Sequence, residues 1–313
     1  MPGAPEIFDS RLLIERRDRF APGAQMHDFL LHRVGKDFAE RLAIVQRSFP
    51  LAANVGAYHG VLSEIVRQQD NVGSVVDLEP AMGLLRQAKG AKVQSSLDAL
   101  PLAPQSLDLV VSGLSWHFVN DLPGLLAQVR RALKPDGLLL AALLGGATLQ
   151  ELRTAWLVAE EELSGGASPR VAPFADVREL GGLLQRAGFA LPVADSDVCT
   201  VTYETPLALM RELQQMAAAN PLLERRRVPV TRRLLLRAAA IYAERYARAD
   251  GRVPATFEIV TLTAWAPDPS QPRPLPPGSA KMRLADALRV AERSAGEPAG
   301  PPHVRPENRG AKE

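Results

Sequence analysis

From Leu51 onward the chain alternates short apolar runs with amphipathic segments of helix length, and this alternation restricts the fold more than any other feature. Strand-like runs stand at Leu51 to Val55, Ser74 to Leu78, Ala91 to Ser95, Leu107 to Leu114 and Leu138 to Leu144, with helical patterns between them. Parallel strands need a crossover between them, and a helix is the usual one. The run LDLVVSGL at Leu107 is mostly apolar, consistent with a strand covered on both faces. Two helical stretches, Phe8 to Phe20 and Phe29 to Phe49, precede the first strand, and Pro50 is expected to end the second. A strand at Val193 to Tyr203, helices at Leu207 to Ala219 and Arg232 to Tyr246, and a last strand at Thr256 to Trp265 complete the pattern. The expectation is an α/β doubly wound, mostly parallel seven-stranded sheet with N-terminal helices and a helical insertion before the last strand.

This pattern divides the chain into a helical cover (1–50), a core (51–205), a helical insertion (206–252), the last core strand (253–266) and a tail (267–313). The tail is rich in proline and poor in large apolar residues. It is expected to be largely without packed structure, apart from a short helix near Lys281 to Arg293. With 313 residues, 46% of them hydrophobic, the chain can bury a sizeable core.

Lys+Arg 37 against Asp+Glu 35 leaves a net charge of +2, which argues against nonspecific nucleic-acid binding. Cys199 is the single cysteine, so no internal disulfide can form. The opening MPGAPEIFDS has neither an apolar signal core nor an Arg-rich leader, and the expected location is the cytoplasm. No apolar run is long enough to span a bilayer, so membrane contact would be peripheral. The five histidines form no H-x-D or H-x-E pair, and no metal centre is expected.

The first strand ends in LAANVGAYHGVL, a turn holding Gly56 and Gly60 before a helix start. Such a turn lets the backbone approach a ligand at a helix N-terminus. Tyr58 takes the middle place of the G-x-G-x-G spacing. If it keeps the left-handed conformation of glycine, the cost is about 1 to 2 kcal/mol. Asp77, near the end of the second strand, is placed to accept hydrogen bonds from ribose hydroxyls. Trp116 and His117 follow the fourth strand and Glu151 opens the helix after the fifth, so all three stand at carboxyl ends of strands, where ligands of doubly wound sheets bind.

Asn54 to Gly60, Asp77, LDLVVSGLSWHFVNDLP and LKPDG together resemble a class I S-adenosylmethionine-dependent methyltransferase. More narrowly, LSWHFVNDLP, GGATLQELR, SPRVAPFADVRELGGLLQRAGF and DGRVPATFEI resemble the family of the mitochondrial complex I assembly factor that hydroxylates an arginine of the quinone-module subunit. The biotin-pathway malonyl-carrier-protein O-methyltransferase is a more distant relative. The match runs from about Ile7 to Trp265.

The resemblance implies S-adenosyl-L-methionine at Asn54, Gly56, Gly60, Asp77 and Ser112, with Ser96 or Asp98 meeting the adenine. It implies a protein substrate, a complex I subunit. For an arginine substrate, Glu151, Glu160, Trp116 and Tyr203 are the nearest acidic or aromatic candidates. The family's first motif reads D-L-G-C-G-x-G. Asn54 in place of the acid and Tyr58 in place of glycine imply weakened cofactor binding. Methylation of a small molecule or carrier-bound acid, and a noncatalytic assembly role, remain as alternatives.

Overall fold

A computed structural model describes residues 6–272 and 282–291. The chain divides into two compact units, Met1–Pro269 and Ser270–Glu313. In the first unit the elements follow in the order α1 (Ser10–Phe20), α2 (Phe29–Ile44), β1 (Phe49–Val55), α3 (Val61–Arg67), β2 (Val72–Glu79), α4 (Met82–Leu85), β3 (Lys92–Gln94), β4 (Leu107–Gly113) and α5 (Leu122–Ala132). They continue as β5 (Leu133–Leu144), α6 (Gln150–Ser164), α7 (Val177–Arg186), β6 (Ala190–Tyr203), α8 (Pro206–Gln215), α9 (Arg232–Tyr246) and β7 (Val253–Trp265). In the second unit α10 (Leu284–Leu288) falls within the helix expected near Lys281 to Arg293, of which residues 282–291 are described, while most of the rest of the tail lies outside the described residues.

The sheet has seven strands in the order β3-β2-β1-β4-β5-β7-β6. Strands β3 to β5 in this order are parallel, whereas β7 runs antiparallel to both β5 and β6. The expected doubly wound architecture is therefore present, with α8 and α9 inserted between β6 and β7. Several strands start earlier than their apolar runs suggest. Phe49 opens β1 by donating its N–H to Asn71 O, so Pro50 lies inside the strand and α2 stops at Ile44. Pro50 is tolerated because it is exposed near the strand's start, where a missing donor costs least. Likewise β5 takes in the LKPDG turn, and its register with β4 shifts across Leu107 to Leu109.

Helices on both faces close two apolar layers. Phe38 and Leu42 of α2, Leu62 and Val66 of α3 and Ala155 of α6 cover one face together with α8 and α9. Leu125, Leu126 and Val129 of α5 with Leu180 and Leu184 of α7 cover the other. Removing this apolar surface from water is the main stabilising contribution. The strand interiors are consequently fixed, and chemistry is left to the loops at their carboxyl ends.

Candidate functional site

The turn between β1 and α3 adopts the left-handed conformation at three positions: Gly56 (φ +80°), Tyr58 (φ +51°) and Gly60 (φ +86°). Gly56 and Ala57 both donate their N–H groups to Leu78 O, at 2.8 and 3.0 Å, which clamps the turn to the end of β2. Tyr58 keeps the strained conformation because both its ends are held. Its N–H donates to Glu79 Oε2 at 2.9 Å, and its hydroxyl donates to Leu114 O at 2.6 Å.

Glu79, fully buried at the tip of β2, is the acid that faces this turn. Its Oε1 accepts from Ala81 N at 3.1 Å and from Arg17 Nη1 at 3.1 Å. Arg17 comes from α1. It lies 4.3 Å over the Tyr58 ring, and its Nη2 donates to Tyr58 Oη at 3.1 Å and Ser115 Oγ at 3.2 Å. Burial opposes the Arg17 charge, but Tyr58 and Glu79 outweigh it and its pKa is raised. The Tyr58 phenol is pushed up by burial, with Glu79 adding to the effect against Arg17. Ser115 closes the remaining side of the turn. A Cβ on Gly56 would lie 2.2 Å from Ser115 Oγ, so the close approach that glycine permits is used by the chain itself.

Asp77, the expected ribose acid, is engaged by the chain's own side chains. It sits beneath the turn, where Ser63 Oγ makes a very short hydrogen bond to its Oδ1, Asn54 Nδ2 donates to it at 3.4 Å, and Arg67 lies 3.3 Å from its Oδ2. Burial raises its pKa to about 6 against these lowering partners. The acid that tops the strand is two positions on, at Glu79. Asn54 is fully buried and donates to Ser63 Oγ at 2.9 Å, which joins β1 to α3. Its Oδ1, and Ser112 Oγ on β4, are buried atoms without a partner. Ser96 and Asp98 are exposed and occupied with each other, Ser96 Oγ donating to Asp98 Oδ2 at 3.1 Å. The residue between them, Leu97, is the one that reaches the turn, its Cδ1 within 3.9 Å of a Cβ on Gly56.

The candidates for chemistry also separate. Trp116 is buried and donates Nε1–H to Val55 O at 3.1 Å, so it is a wall of the core. Glu151 is a strap from α6 to β7, accepting from both the N–H and the hydroxyl of Thr256. Glu160 is fully buried and holds Ser168 and Arg170. The Tyr203 hydroxyl is buried without a partner, and burial pushes its pKa above the ordinary value. None of the last three lines the cavity beside the turn. His117 does line it. Its ring packs edge-on against Phe118 at 4.2 Å and Phe174 at 5.4 Å, and its Nδ1 has no partner. Burial, assisted by the Arg17 charge, lowers its pKa to about 3, so the imidazole is neutral.

Two residues of the site, Arg17 and Glu79, escaped sequence reasoning. The available signals were small. Arg17 follows Leu13 by four residues, which puts a charge on the buried face of α1. Glu79 follows Asp77 by two, which puts both acids on one face of β2.

Residues 53–141 match the family described as a methyltransferase domain. Arginine-hydroxylase NDUFAF5 of Danio rerio is 38% identical over 293 residues, covering 91% of this chain and 91% of that protein. The chain belongs to the arginine-hydroxylase NDUFAF5 family. The Homo sapiens member is 36% identical, covering 92% of this chain and 85% of its own. Malonyl-[acyl-carrier protein] O-methyltransferase of Xylella fastidiosa is 33% identical, covering 83% of this chain and 89% of its own. Among solved structures, the YcgJ protein of Bacillus subtilis superposes with a TM-score of 0.53 at 11% identity, over 76% of this chain and 99% of that one, which is a likeness of fold.

S-adenosylmethionine, which the fold family implies, does not fit the turn as it stands. Arg17 occupies Glu79, Ser115 occupies Gly56, and the cavity left beside them is about 70 Å³. A ligand of that size class needs about 300 Å³ or more. A second cavity, about 440 Å³, lies beyond Phe118 and Phe174 among Leu152, Trp156, Met210 and Leu213. Among the described residues no group of three or more His, Cys, Asp and Glu is placed to hold a metal ion, and no helix is long and apolar enough to cross a membrane.

Proposed function

We propose that this chain hydroxylates an arginine side chain of a protein partner, a quinone-module subunit of respiratory complex I. The observation that carries this reading is the 38% identity to a protein named arginine hydroxylase across 91% of both chains. That extent includes the regions outside the methyltransferase domain as well as the sheet.

Hydroxylation replaces a C–H bond of the arginine with C–OH. One atom of dioxygen enters the product and the other leaves as water, with two electrons and two protons taken from a reductant. This chain's part is to bind and orient the side chain and to keep water from it. The apolar cavity walled by Phe118 and Phe174 suits the arginine's methylene stem, and neutral His117 beside it adds no charge to repel the guanidinium. Deleting the gene in its host and mapping the subunit's arginine peptides by mass spectrometry tests the reading. The expected result is loss of one oxygen from one arginine, and an oxygen that survives deletion rejects it.

A second reading is methyl transfer from S-adenosylmethionine, favoured by the methyltransferase-domain match at residues 53–141 and by the malonyl-carrier-protein relative. On that reading the nucleoside belongs against Gly56 and Glu79 once Arg17 has left. A methyl group, in place of an oxygen, missing after deletion promotes it.

A further inference from the structure

The helix that supplies Arg17 is lightly held by apolar packing. Of the 11 residues of α1, only Leu13 and Arg17 are buried. A segment with so few apolar contacts belongs to the low-stability end of a fold. Ile14 adds an apolar contact to the cluster of Ala21, Ala81 and Leu84, and further ties are polar. Asp9 pairs with Arg225 at 3.0 Å, Arg16 Nη1 donates to Ala219 O at 2.6 Å and Asn220 O at 2.9 Å, and Asp18 Oδ1 accepts from Gly83 N at 2.6 Å. The three partners at 219–225 belong to the stretch between α8 and α9, so α1 joins that stretch to the cleft.

The Arg17 guanidinium takes up the groups that a nucleoside seated against the turn would use. It donates to Glu79, whose carboxylate is the acceptor that ribose hydroxyls would need, and it lies face-on to Tyr58. It also donates to Ser115 Oγ, the atom that crowds Gly56. The donors and the space are therefore exclusive: guanidinium and nucleoside cannot occupy Glu79 together.

We infer that α1 is a latch, with Arg17 as its bolt, and that S-adenosylmethionine binds at Gly56 and Glu79 only in the fraction of molecules whose Arg17 has left the cleft. The apparent affinity is the intrinsic affinity reduced by that fraction. The inference does not depend on which reaction the chain performs.

Calorimetric titration of S-adenosylmethionine into the full chain and into Arg17→Met tests it. The methionine keeps the apolar stem and removes the bolt. The variant should bind about tenfold or more tightly than the wild type. Equal or weaker binding by a folded variant overturns the latch, as does absence of binding in both proteins. Adding Glu79→Gln to Arg17→Met should abolish the gain, and full retention of the gain would place the nucleoside elsewhere and overturn the inference. Arg17→Lys keeps the charge near Glu79 but loses the planar contact with Tyr58. It should shift affinity in the same direction and serves if the methionine variant does not fold. Hydrogen exchange on the wild type, with ligand at the highest soluble concentration, gives a readout independent of any substitution. Peptides spanning Ser10–Phe20 should lose protection in proportion to the ligand bound, and binding with unchanged protection overturns the inference.

Discussion

Asp77 and Glu79 project from the same face of β2, yet Asp77 is pinned under the glycine turn by Ser63 while Glu79, at the strand's tip, carries Arg17 and the backbone of Tyr58. Two acids of similar chemistry thereby divide the work. One fastens β1, β2 and α3 together, and the other governs access to the cleft.

Glu79→Ala should be the most damaging single change in the cleft. It leaves the Arg17 guanidinium buried without its carboxylate and frees the N–H groups of Tyr58 and Ala81. Removing one partner of a buried ion pair costs about 3 to 5 kcal/mol. Replacing both partners with apolar groups is far less costly, so Arg17→Met combined with Glu79→Ala should be more stable than Glu79→Ala alone. Urea unfolding of Glu79→Ala, Arg17→Met and the double variant measures the coupling. Additive losses would show that the pair contributes little.

His117 should remain neutral over the whole range in which the protein is folded. Its pKa is lowered from 6.5 to about 3 by burial and by the Arg17 charge. The folded state therefore binds fewer protons at this ring than the unfolded state between those values. The associated stability is present above pH 6.5 and is lost as the pH falls towards 3. His117→Phe keeps an aromatic ring against Phe118 and Phe174 and removes the titration. Its melting temperature should fall less steeply than that of the wild type between pH 7 and 5. In the wild type, the imidazole proton resonances of His117 should not shift over that range.

How much of the sheet could be read from the chain depended on how deeply each strand is covered. Leu107 to Gly113 and Leu138 to Leu144 are mostly apolar because both faces are largely buried, and their runs marked them directly. The edge strand β6 carries exposed Val193 and Val198 among polar residues, so its start at Ala190 left no hydrophobic mark. The cleft was harder to read, for a different reason. Which of two acids tops β2 depends on the register of Val55 against Leu78, and no local pattern prints that register. Glu151 looks like a first-turn acid matched to the helix dipole, but its partner Thr256 is 105 residues away. Arg17 stands in a run of arginines whose neighbours are exposed or half-buried, and only tertiary packing singles it out.

Glu160 should hold the wall of the larger cavity. Burial works against its charge, but the Ser168 amide, the Arg170 guanidinium and the Ser168 hydroxyl keep its carboxyl below the ordinary value. Arg170 in turn lies 5.4 Å over the Trp156 ring and, with Val171 and Phe174, lines the cavity. Glu160→Ala releases the segment 165–175 from α6 and leaves Arg170 unpaired, at a cost of about 3 to 5 kcal/mol. Limited trypsin digestion should then cut at Arg170, a bond protected in the wild type. Unchanged resistance to cleavage would mean that the segment is held by its apolar contacts alone.

Asp77 gives the prediction with the opposite pH sense. Its pKa is raised from 3.8 to about 6, because burial disfavours its charge more than Ser63, Arg67 and Asn54 favour it. Between those values the folded state binds more protons at this carboxyl than the unfolded state does. The stability linked to it is therefore fully present below pH 3.8 and is lost as the pH rises through 6. The loss amounts to no more than about 3 kcal/mol over the window. Asn is nearly isosteric with protonated Asp, and its Oδ1 can still accept from Ser63 and Asn54, so Asp77→Asn preserves the joint between β1, β2 and α3 and deletes only the titration. Relative to the wild type, the variant should therefore gain stability steadily from pH 4 to pH 6.5 and gain nothing further above that. Chemical unfolding at half-unit pH steps reads the difference directly. A difference that does not change with pH would mean that Arg67 and Ser63 keep the carboxylate charged throughout, and that the Asp77 to Arg67 contact at 3.3 Å is a working ion pair despite its burial.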